Sequence, residues 1–379
     1  MNYDVKPKFT IKQILKDWWS TLLSQNISIR PVVKEEVEKV IRCGDFSYGF
    51  HLFYCFVCCV FKNVPFTCKS RFCNSCGSKY SKERVEAVTN KLLNCPHRHV
   101  VFTIPAELRP YFRNNRLLLN ILFDAVSITL SSWFKSQNKS QSFTPGFVCT
   151  LHTFGRDLKW NPHIHVLLTD GASGNFTVWK PFKHLPYTML RKRWRSVLLS
   201  LLSKNIFYPD FKKLVSFFYR EYKDGFYVYA PPNKFKDVKK AVEYVLRYLG
   251  RPVMAQSRIS NYDGSLVTFW YQRHEDNQLV TVSIHALEFI KLLIIHIPDR
   301  QFKMVRYYGL YAKKHINDSK LFKLISKKLK SFKNKNNTWR HRILLDFNYD
   351  PLKCSCGAYF KHIQSFFGDK YKSVAFYPT

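Results

Sequence analysis

One stretch of this sequence runs Pro162-His163-Ile164-His165-Val166-Leu167-Leu168. Its alternation predicts a β-strand with both imidazoles on one face and the aliphatic side chains on the other face, against a core. Two imidazoles held on a rigid strand can bind a divalent cation such as Mg²⁺ or Mn²⁺. Such a cation can assist the attack of a nucleophile on a phosphodiester. We therefore take His163 and His165 as candidate metal ligands.

A second predicted strand, residues 147–154, brings another histidine to this pair. A polar turn over residues 155–161 joins the two strands, so we expect them to pair antiparallel. His152 would then lie beside His163 and His165 as a third ligand. No acidic cluster accompanies the histidines, which favours one bound cation and a protein nucleophile over the two-metal activation of water. An isolated His-x-His pattern is more often structural, and that alternative stays open here.

The nucleophile is predicted on a helix at residues 237–252, which contains Tyr244 and Tyr248. Asp237 is a good N-cap, and Gly250 can end the helix in a left-handed conformation. The two tyrosines fall one turn apart on the flank of the apolar stripe, so both hydroxyls could reach one phosphate in turn. The stripe consists of Val238, Ala241, Val242, Val245 and Leu249. Two alternatives stay open: Tyr248 packs against the core, or the nucleophile lies in a rival cluster of Tyr307, Tyr308 and Tyr311.

Eleven cysteines are present, and eight of them lie in the first quarter of the chain. Cys55-x2-Cys58 and Cys73-x2-Cys76 form two pairs that are separated by fourteen residues. Each pair can present two thiolates to one ion, and structural Zn²⁺ prefers four such ligands in a tetrahedral arrangement. We therefore predict one zinc site made of these four cysteines.

Other cysteines and a histidine in the same region could hold a second zinc ion. The candidates are Cys43, His51 and Cys68, completed by Cys95 or His97. They could equally be ordinary core residues. Cys59 adjoins Cys58 and could replace it as a ligand.

The charge of the chain indicates its partner. Its 379 residues include 61 Lys and Arg against 26 Asp and Glu, a formal net charge of +35. Such an excess attracts polyanions, of which nucleic acid is the commonest. Aromatic residues make up 17% of the chain and are interleaved with basic ones, as in residues 219–223. This pattern is typical of single-strand binding by base stacking, although many of the aromatic residues are expected to fill the core.

The apolar segments of the sequence bear on localisation. Residues 1–16 contain no apolar run of the length that a secretory signal needs. No stretch approaches about 18 uncharged apolar residues, so we predict neither a transmembrane helix nor a membrane partner. An unsecreted, cysteine-rich chain points to a reducing compartment, and we expect a cytoplasmic, nucleoid-associated protein.

Three segments are predicted along the chain. Residues 1–95 form a helical and zinc-binding module, residues 96–312 form a domain that carries the histidines and tyrosines, and residues 313–379 form a basic C-terminal segment. Residues 313–342 contain eleven Lys and Arg and one acid, and form either a helix lying on DNA or a solvated tail. The predicted helices are 11–23, 32–41, 115–134, 187–203 and 237–252, the predicted strands are 99–104, 147–154 and 162–169, and residues 170–175 are a predicted loop.

Together these segments resemble the HUH endonuclease superfamily and, within it, the two-tyrosine transposases of the insertion-sequence ninety-one family. The matching residues are the zinc-binding segment 43–76, notably Cys68-Lys-Ser-Arg-Phe-Cys-Asn-Ser-Cys76, then Leu151-His-Thr-Phe-Gly-Arg-Asp-Leu-Lys-Trp-Asn-Pro-His-Ile-His165, Tyr244-Val-Leu-Arg-Tyr-Leu-Gly-Arg-Pro252 and Val305-Arg-Tyr-Tyr-Gly-Leu310. The resemblance implies an α+β fold, the HUH endonuclease fold, with a central antiparallel sheet flanked by helices and preceded by a small zinc-binding module.

The resemblance also implies an activity, which is metal-dependent nicking and rejoining of DNA in rolling-circle transposition. His163 and His165 carry over as metal ligands, and Tyr244 and Tyr248 carry over as nucleophiles that form a 5′-phosphotyrosine. The implied partners are single-stranded DNA at the element ends and target, a host helicase and the replication machinery. The alternatives are a rolling-circle replication initiator, a relaxase-like nickase, or a zinc-dependent DNA-binding protein without catalytic activity.

Overall fold

The computed structural model describes residues 8–136, 140–182, 184–229, 235, 237–246, 253–273, 276–312, 340, 343–344 and 348–368. Within these residues the chain has the predicted α+β fold, with antiparallel sheets and flanking helices. The helices are α1 (Ile11–Ser24), α2 (Pro31–Arg42), α3 (Asn74–Thr89), α4 (Arg109–Asn114), α5 (Leu119–Ser136), α6 (Tyr187–Ser203), α7 (Pro209–Glu221), α8 (Val238–Leu246) and α9 (Ala286–Ile294). The strands are β1 (Gly49–Cys55), β2 (Val60–Pro65), β3 (His97–Phe102), β4 (Thr144–Phe154), β5 (Trp160–Ser173), β6 (Lys180–Pro181), β7 (Val228–Tyr229), β8 (Ile259–Tyr262), β9 (Leu266–Gln272), β10 (Leu279–His285), β11 (Val305–Gly309) and β12 (Lys361–Phe367).

The central sheet has the strand order β11-β4-β5-β3-β7, and β6 pairs with the end of β5. All of these pairings are antiparallel. β4 and β5 form the predicted hairpin, and their register sets His152 opposite His163. The inferred strand pairing is therefore confirmed.

The two faces of the central sheet carry different layers. On one face Ile164 and Val166 are fully buried in the core that contains α5 and α6. On the other face Leu167 packs in a core that contains residues of α3 and α8. Because side chains alternate along a strand, His163 and His165 share the second face with Leu167. The histidines therefore lie on the face of the sheet that α8 covers.

α1 and α2 pack against the later part of the chain. Their apolar sides share one core with α9 and β9, including Leu15, Val37, Phe269 and Phe289. Leu158, in the turn between β4 and β5, is buried in the same core. The division of the chain at residues 95 and 312 stays a prediction, and this core joins the first segment directly to the second.

A three-stranded sheet with the order β12-β1-β2 brings distant parts of the chain together. β12 pairs antiparallel with β1, with Gly49 opposite Phe367. Phe50 and Phe366 stack across this pair with ring centroids 4.9 Å apart. β12, from the later part of the chain, thus completes the sheet in which β1 ends at Cys55. Within the basic residues 313–342, residues 313–339, 341 and 342 lie outside the described residues.

The predicted loop at residues 170–175 is wrong in its first part, because β5 continues to Ser173. Asp170 is buried and accepts a hydrogen bond from Arg98 Nε at 2.5 Å, and both side chains are 7% exposed. Gly171 pairs with Pro181 of β6. The polar, glycine-containing sequence favours a loop, but the buried ion pair and the strand pairing outweigh that local preference.

One helical segment, Arg116–Ser136, is long and apolar enough to cross a membrane by length and composition. Its apolar window is 61% buried inside the fold. The α5 residues of this segment contribute to the core of the central sheet, which is typical of a core helix.

Candidate metal centres

Three groups of metal-ligating side chains occur in the described part of the chain. One group is His152, His163 and His165, whose ligand nitrogens all lie within 4.8 Å of one another. The register of β4 and β5 places them, because His152 lies opposite His163 and Thr150 lies opposite His165. The structure therefore brings the predicted third ligand to the predicted pair.

His163 and His165 are each held by a partner behind the ring. His163 Nδ1 lies 2.7 Å from the carbonyl oxygen of Asn161. Because a carbonyl oxygen only accepts, Nδ1 carries the proton and the neutral ring keeps a lone pair on Nε2. His165 Nδ1 lies 2.8 Å from His99 Nε2, and the Nε2 atoms of His163 and His165 face each other at 3.0 Å. Metal-ligating histidines commonly use their second nitrogen in this way, which fixes the orientation of the ring.

Burial sets the protonation state of this group. It lowers the pKa of His163 to about 4 and the pKa of both His152 and His165 well below the ordinary value. The physical cause is desolvation, which disfavours the charged imidazolium. All three rings are therefore neutral at pH 7, the form that binds metal. Among the described residues the group contains no carboxylate, so three neutral imidazoles form the donor set, and they fit one divalent cation with further positions for oxygen ligands.

The helix predicted to carry the nucleophile lies against the histidines. The backbone of Val245, in α8, lies close enough to His152 to act on the pKa of its imidazole, and the Val245 side chain packs in the same core as Leu167 of β5. Asp237 caps this helix as predicted, since its side chain accepts a backbone N–H at 2.9 Å. Val245 directly follows Tyr244 in the sequence, so α8 positions this part of the backbone at the histidine group. The side chain of Tyr244 and the whole of Tyr248 lie outside the described residues.

The tyrosines of the rival cluster make packing contacts and hydrogen bonds. Tyr311 is buried, and its hydroxyl lies 2.7 Å from Nε2 of His97. Tyr308 stacks on Phe147 with ring centroids 5.2 Å apart. Burial raises the pKa of Tyr307, Tyr308 and Tyr311, which disfavours the phenolate that a nucleophilic tyrosine needs. These contacts favour the α8 tyrosines over the rival cluster.

The second group consists of Cys43, Cys68, Cys73 and Cys76. The Sγ atom of Cys76 lies 3.6 Å from those of Cys43 and Cys68, and the Cys43–Cys73 distance is 3.8 Å. With Zn–S bonds of about 2.3 Å, a tetrahedral ion sets its sulfur ligands about 3.8 Å apart, whereas a disulfide requires about 2.05 Å. These four thiols therefore have the spacing of a tetrahedral zinc site.

The third group consists of Cys55, Cys58, Cys354 and Cys356. Sγ of Cys55 lies 3.6 Å from Sγ of Cys356, and the Cys58–Cys354 distance is 3.4 Å. The pairing of β1 with β12 brings the two halves of this group together.

The predicted grouping of Cys55, Cys58, Cys73 and Cys76 in one zinc site is therefore corrected. The Cys55 pair starts at the last residue of β1, and the Cys73 pair starts at the N-cap of α3. Different parts of the chain complete each pair.

The residues that were predicted for a second zinc site have different positions in the structure. Cys43 and Cys68 join the Cys73 pair. His51 belongs to neither thiol group in the described residues, and its Nδ1 instead lies 2.7 Å from Oγ of Ser365 on β12. Cys59 also lies outside both groups, so the choice between it and Cys58 falls on Cys58.

Three residues of these sites were missed in the sequence. His99 ends a second His-x-His pattern, His97-Arg98-His99, on the strand next to β5. Cys354-Ser-Cys356 is followed by a glycine, a pattern that suits a metal-binding turn. Neither signal could be used without knowing that β3 neighbours β5 and that β12 neighbours β1.

Two family models match this chain. The one described as "Transposase zinc-binding domain" matches residues 14–104, which include the second group and the Cys55 pair. The one described as "Putative transposase" matches residues 146–319, which include the histidine group and α8. No solved structure matches the chain.

Two curated relatives are similar over most of their length. The "Transposase for insertion sequence element IS801" of Pseudomonas savastanoi pv. phaseolicola is 30% identical over 325 residues, which cover 81% of this chain and 76% of the relative. The "Putative transposase y4qJ" of Sinorhizobium fredii (strain NBRC 101917 / NGR234) is 26% identical over 325 residues, which cover 80% of this chain and 81% of the relative.

Proposed function

This chain belongs to the insertion-sequence ninety-one family of transposases, and we propose that it nicks and rejoins single-stranded DNA in rolling-circle transposition. The proposed intermediate is a 5′-phosphotyrosine on α8. One observation carries this proposal: the residue after Tyr244, Val245, packs in the same core as β5, and its backbone lies beside a histidine of the candidate metal group. A nucleophile on this helix can thus act on a phosphate beside the histidines.

In the proposed reaction the phenolic oxygen of Tyr244 or Tyr248 attacks the phosphorus atom. The bond between phosphorus and the 3′ oxygen breaks, the phenolic proton passes to water, and the 3′ oxygen takes up a proton. The products are a 5′-phosphotyrosine and a free 3′-hydroxyl. Because the new bond is itself a phosphodiester, rejoining needs no external energy source. The other tyrosine can cut a second strand while the first tyrosine still holds its own.

The cation would be held by His152, His163 and His165. When bound, it neutralises negative charge on the non-bridging oxygens of the phosphate under attack. Three imidazoles suit Mn²⁺ better than Mg²⁺, because Mg²⁺ prefers oxygen ligands. His99 lies behind the His165 ring and would orient it, so this partner acts on the reaction through a ligand.

The remaining features of the chain suit a DNA-bound enzyme. We expect Zn²⁺ at Cys43, Cys68, Cys73 and Cys76, where it stabilises the fold of the N-terminal module. The net charge of +35 provides the attraction to the DNA backbone. The substrates are single strands at the element ends and target, a host helicase supplies unwinding, and replication extends the free 3′-hydroxyl. With these partners we propose a cytoplasmic, nucleoid-associated protein.

The test is covalent attachment. Purified protein with Mn²⁺ should form an adduct with a single-stranded oligonucleotide from the DNA that flanks the element. We expect Tyr244→Phe and Tyr248→Phe each to retain some adduct, because one hydroxyl can replace the other. The double variant should form none, and both single variants should fail in a transposition assay that needs two strands held at once. Tyr208→Phe, an exposed tyrosine of the same domain, is the control and should behave as wild type.

Mass spectrometry of the adduct decides the assignment. A peptide modified at Tyr307, Tyr308 or Tyr311 would show that the nucleophile lies in β11 or just after it. An adduct that persists in the double variant would contradict the proposed role of α8. Normal transposition by one single variant would reduce the mechanism to one tyrosine.

A further inference from the structure

Cys354 and Cys356 lie beyond residues 14–104 and 146–319, the two segments that the family models match. They nevertheless complete a group with Cys55 and Cys58. We propose that these four cysteines bind a second structural Zn²⁺, which fastens residues 348–368 to the N-terminal module. The proposal concerns the fold and does not depend on the nicking chemistry.

The sulfur atoms of this group have nearly the spacing of thiolates that bind one Zn²⁺. The measured distances of 3.4 and 3.6 Å are close to the edge of about 3.8 Å expected for a tetrahedral Zn–S site.

Each half of the group is a turn that is followed by a residue with positive φ. After the Cys55 pair, Cys59 has φ of 58° and donates its N–H to the Cys55 carbonyl at 2.9 Å. After the Cys354 pair, Gly357 has φ of 90° and donates its N–H to the Cys354 carbonyl at 3.0 Å. A residue in the left-handed region lets the chain reverse just after the pair, so both thiols face one side. Two such turns facing each other supply four ligands to one ion.

The contacts around the site fix the later segment in the same place. Lys62 of β2 donates to the hydroxyl of Tyr349 at 2.8 Å and to the carbonyl of Pro351 at 2.9 Å. The ion would connect residues that are 296 positions apart, Cys58 and Cys354. A metal clip that closes so long a loop removes much chain entropy from the unfolded state. Both ends of the basic stretch, at β11 and at residue 348, would then be anchored.

Cobalt substitution tests this proposal, because thiolate–Co²⁺ absorption detects thiolate sites and ignores the histidine group. Apo protein titrated with Co²⁺ should take up two ions in thiolate sites. Cys354→Ser/Cys356→Ser should lose about half of the absorption, and Cys73→Ser/Cys76→Ser should lose the other half. Cys59→Ser is the control, since this thiol adjoins Cys58 but lies outside the group, and it should lose none. Cys356→His should keep the ion with a shifted spectrum, which guards against a variant that merely fails to fold.

Two results would overturn the proposal. One is wild-type protein that binds a single Co²⁺ in thiolate coordination. The other is an unchanged spectrum in Cys354→Ser/Cys356→Ser.

A cavity of about 530 Å³ lies between the N-terminal module and the central sheet. Cys68 of the second group and His152 of the histidine group both line it, so the cavity connects two candidate metal centres. Its volume falls within the range of pockets that enclose a small ligand.

Some of the charged side chains that line this cavity have ion-pair partners, and others do not. Glu36 is held by Lys39 at 2.8 Å and by the Ser70 hydroxyl at 2.5 Å. Asp299 pairs with Arg30, and Arg300 pairs with Glu35. The side chains of Lys69 and Arg71 make no ion pair with any described residue. Glu36 and Tyr80 act on the half-buried Arg71 guanidinium electrostatically, but no carboxylate of the described residues lies within ion-pair distance of it, so these two cations favour an anionic ligand.

Aromatic side chains share the cavity with these cations, namely Phe72, Tyr80 and Phe154. We infer that the cavity binds one nucleotide of single-stranded DNA next to the phosphate that is cut. Lys69 and Arg71 would contact its phosphate, and the rings would contact its base. This inference rests on the proposed function, and it would make the N-terminal module part of the specificity of nicking.

The experiment combines a protein variant with a DNA lesion. An oligonucleotide scan, with one abasic nucleotide moved through the positions beside the nick, should show one position where adduct formation falls about tenfold, the loss expected for one base–aromatic contact. Arg71→Gln should weaken binding of the intact oligonucleotide. In this variant, the lesion at that position should hardly change adduct formation. Lys34→Gln is the matched control, because this exposed lysine of α2 lies outside the cavity.

The outcomes separate the two proposals. Absence of any adduct with wild-type protein would count against the proposed function. An adduct with wild-type protein, together with equal behaviour of Arg71→Gln and Lys34→Gln at every lesion position, would count against the nucleotide cavity alone. A normal lesion response in Arg71→Gln would have the same meaning.

Discussion

The histidine group and the cysteine groups of this protein are assembled in opposite ways. His152 and His163 are eleven positions apart and face each other across one hairpin, whose strands are buried in the core on the opposite face. The group formed by Cys55, Cys58, Cys354 and Cys356 joins segments about 300 positions apart, and few buried side chains surround it. Hydrophobic burial can therefore hold the first site without metal, whereas the second site lacks a comparable core.

This difference indicates two roles for metal in one chain. At the histidines the fold itself holds the ligands together, so we expect a cation there to serve chemistry. At Cys55, Cys58, Cys354 and Cys356 we expect the ion to stabilise a segment that has little core of its own. Variants at the two kinds of site should consequently fail in different assays.

The largest effect is expected for His163→Ala. Loss of one of three ligands should abolish adduct formation, a loss of more than about a hundredfold, because outer partners of metal ligands alone are worth 10–100-fold. Thermal unfolding and oligonucleotide binding should stay close to wild type, since DNA affinity resides in many Lys and Arg contacts. We expect the same direction for His165→Ala and His152→Ala.

His184→Ala provides the control, because this histidine is exposed and outside the group. Parallel loss of folding and adduct in His163→Ala would show that the histidines hold the structure, and the contrast with the cysteines would disappear.

Cys73→Ser/Cys76→Ser should have the next largest effect, and it should appear in stability. Removing two of four thiolates should release the ion and destabilise the N-terminal module by several kcal/mol, since the binding free energy of structural zinc contributes to folding. The measurements are zinc content and hydrogen exchange of residues 40–95. Zinc-free wild-type protein with the same melting curve as the variant would contradict a structural role.

Sequence periodicity predicted the histidine group because its geometry is local. Alternation gave the face of each β5 side chain, and a short turn fixed the hairpin partner that carries His152. The N-cap of α8 was equally local, since Asp237 bonds the helix that it begins. The regular 14-residue spacing of the cysteine pairs was misleading, because spacing along the chain does not show which elements meet.

Long-range pairing accounts for the features that were missed. Cys354 reaches its group through the pairing of β12 with β1, and the buried Asp170 pairs with Arg98 of the neighbouring strand. His99 contributes through the pairing of β3 with β5. A single sequence contains no local signal for these partners.

A smaller effect is expected for His99→Ala, which tests whether a residue outside the three ligands affects metal binding. His99 holds His165 from behind the ring at 2.8 Å. Its removal should weaken Mn²⁺ affinity about 10–100-fold, with the maximum rate recovered at high Mn²⁺. His99→Gln can still hydrogen-bond and should recover part of the affinity. A lower maximum rate with unchanged Mn²⁺ dependence would mean that His99 does not act through the ligand.

The smallest effect concerns His296, a buried histidine outside the metal group. Its Nε2 donates to the Leu158 carbonyl at 2.8 Å, so the neutral ring accepts from the Thr153 hydroxyl through Nδ1 at 3.0 Å. Burial lowers its pKa to about 4, whereas an unfolded histidine titrates near 6.5. The unfolded chain therefore takes up a proton first as the pH falls, and stability is lost between about pH 6.5 and 4.

At pH 5 this linkage should cost about 2 kcal/mol relative to pH 7, at 1.36 kcal/mol per pH unit below 6.5. His296→Gln removes the titrating group, so its urea-unfolding free energy should fall by about that much less between the two pH values. The comparison of slopes cancels the acid sensitivity of the thiolate sites, which both proteins share. Equal slopes would show that His296 is protonated in the folded state, and its hydrogen bond to Thr153 would then have to run in the opposite direction.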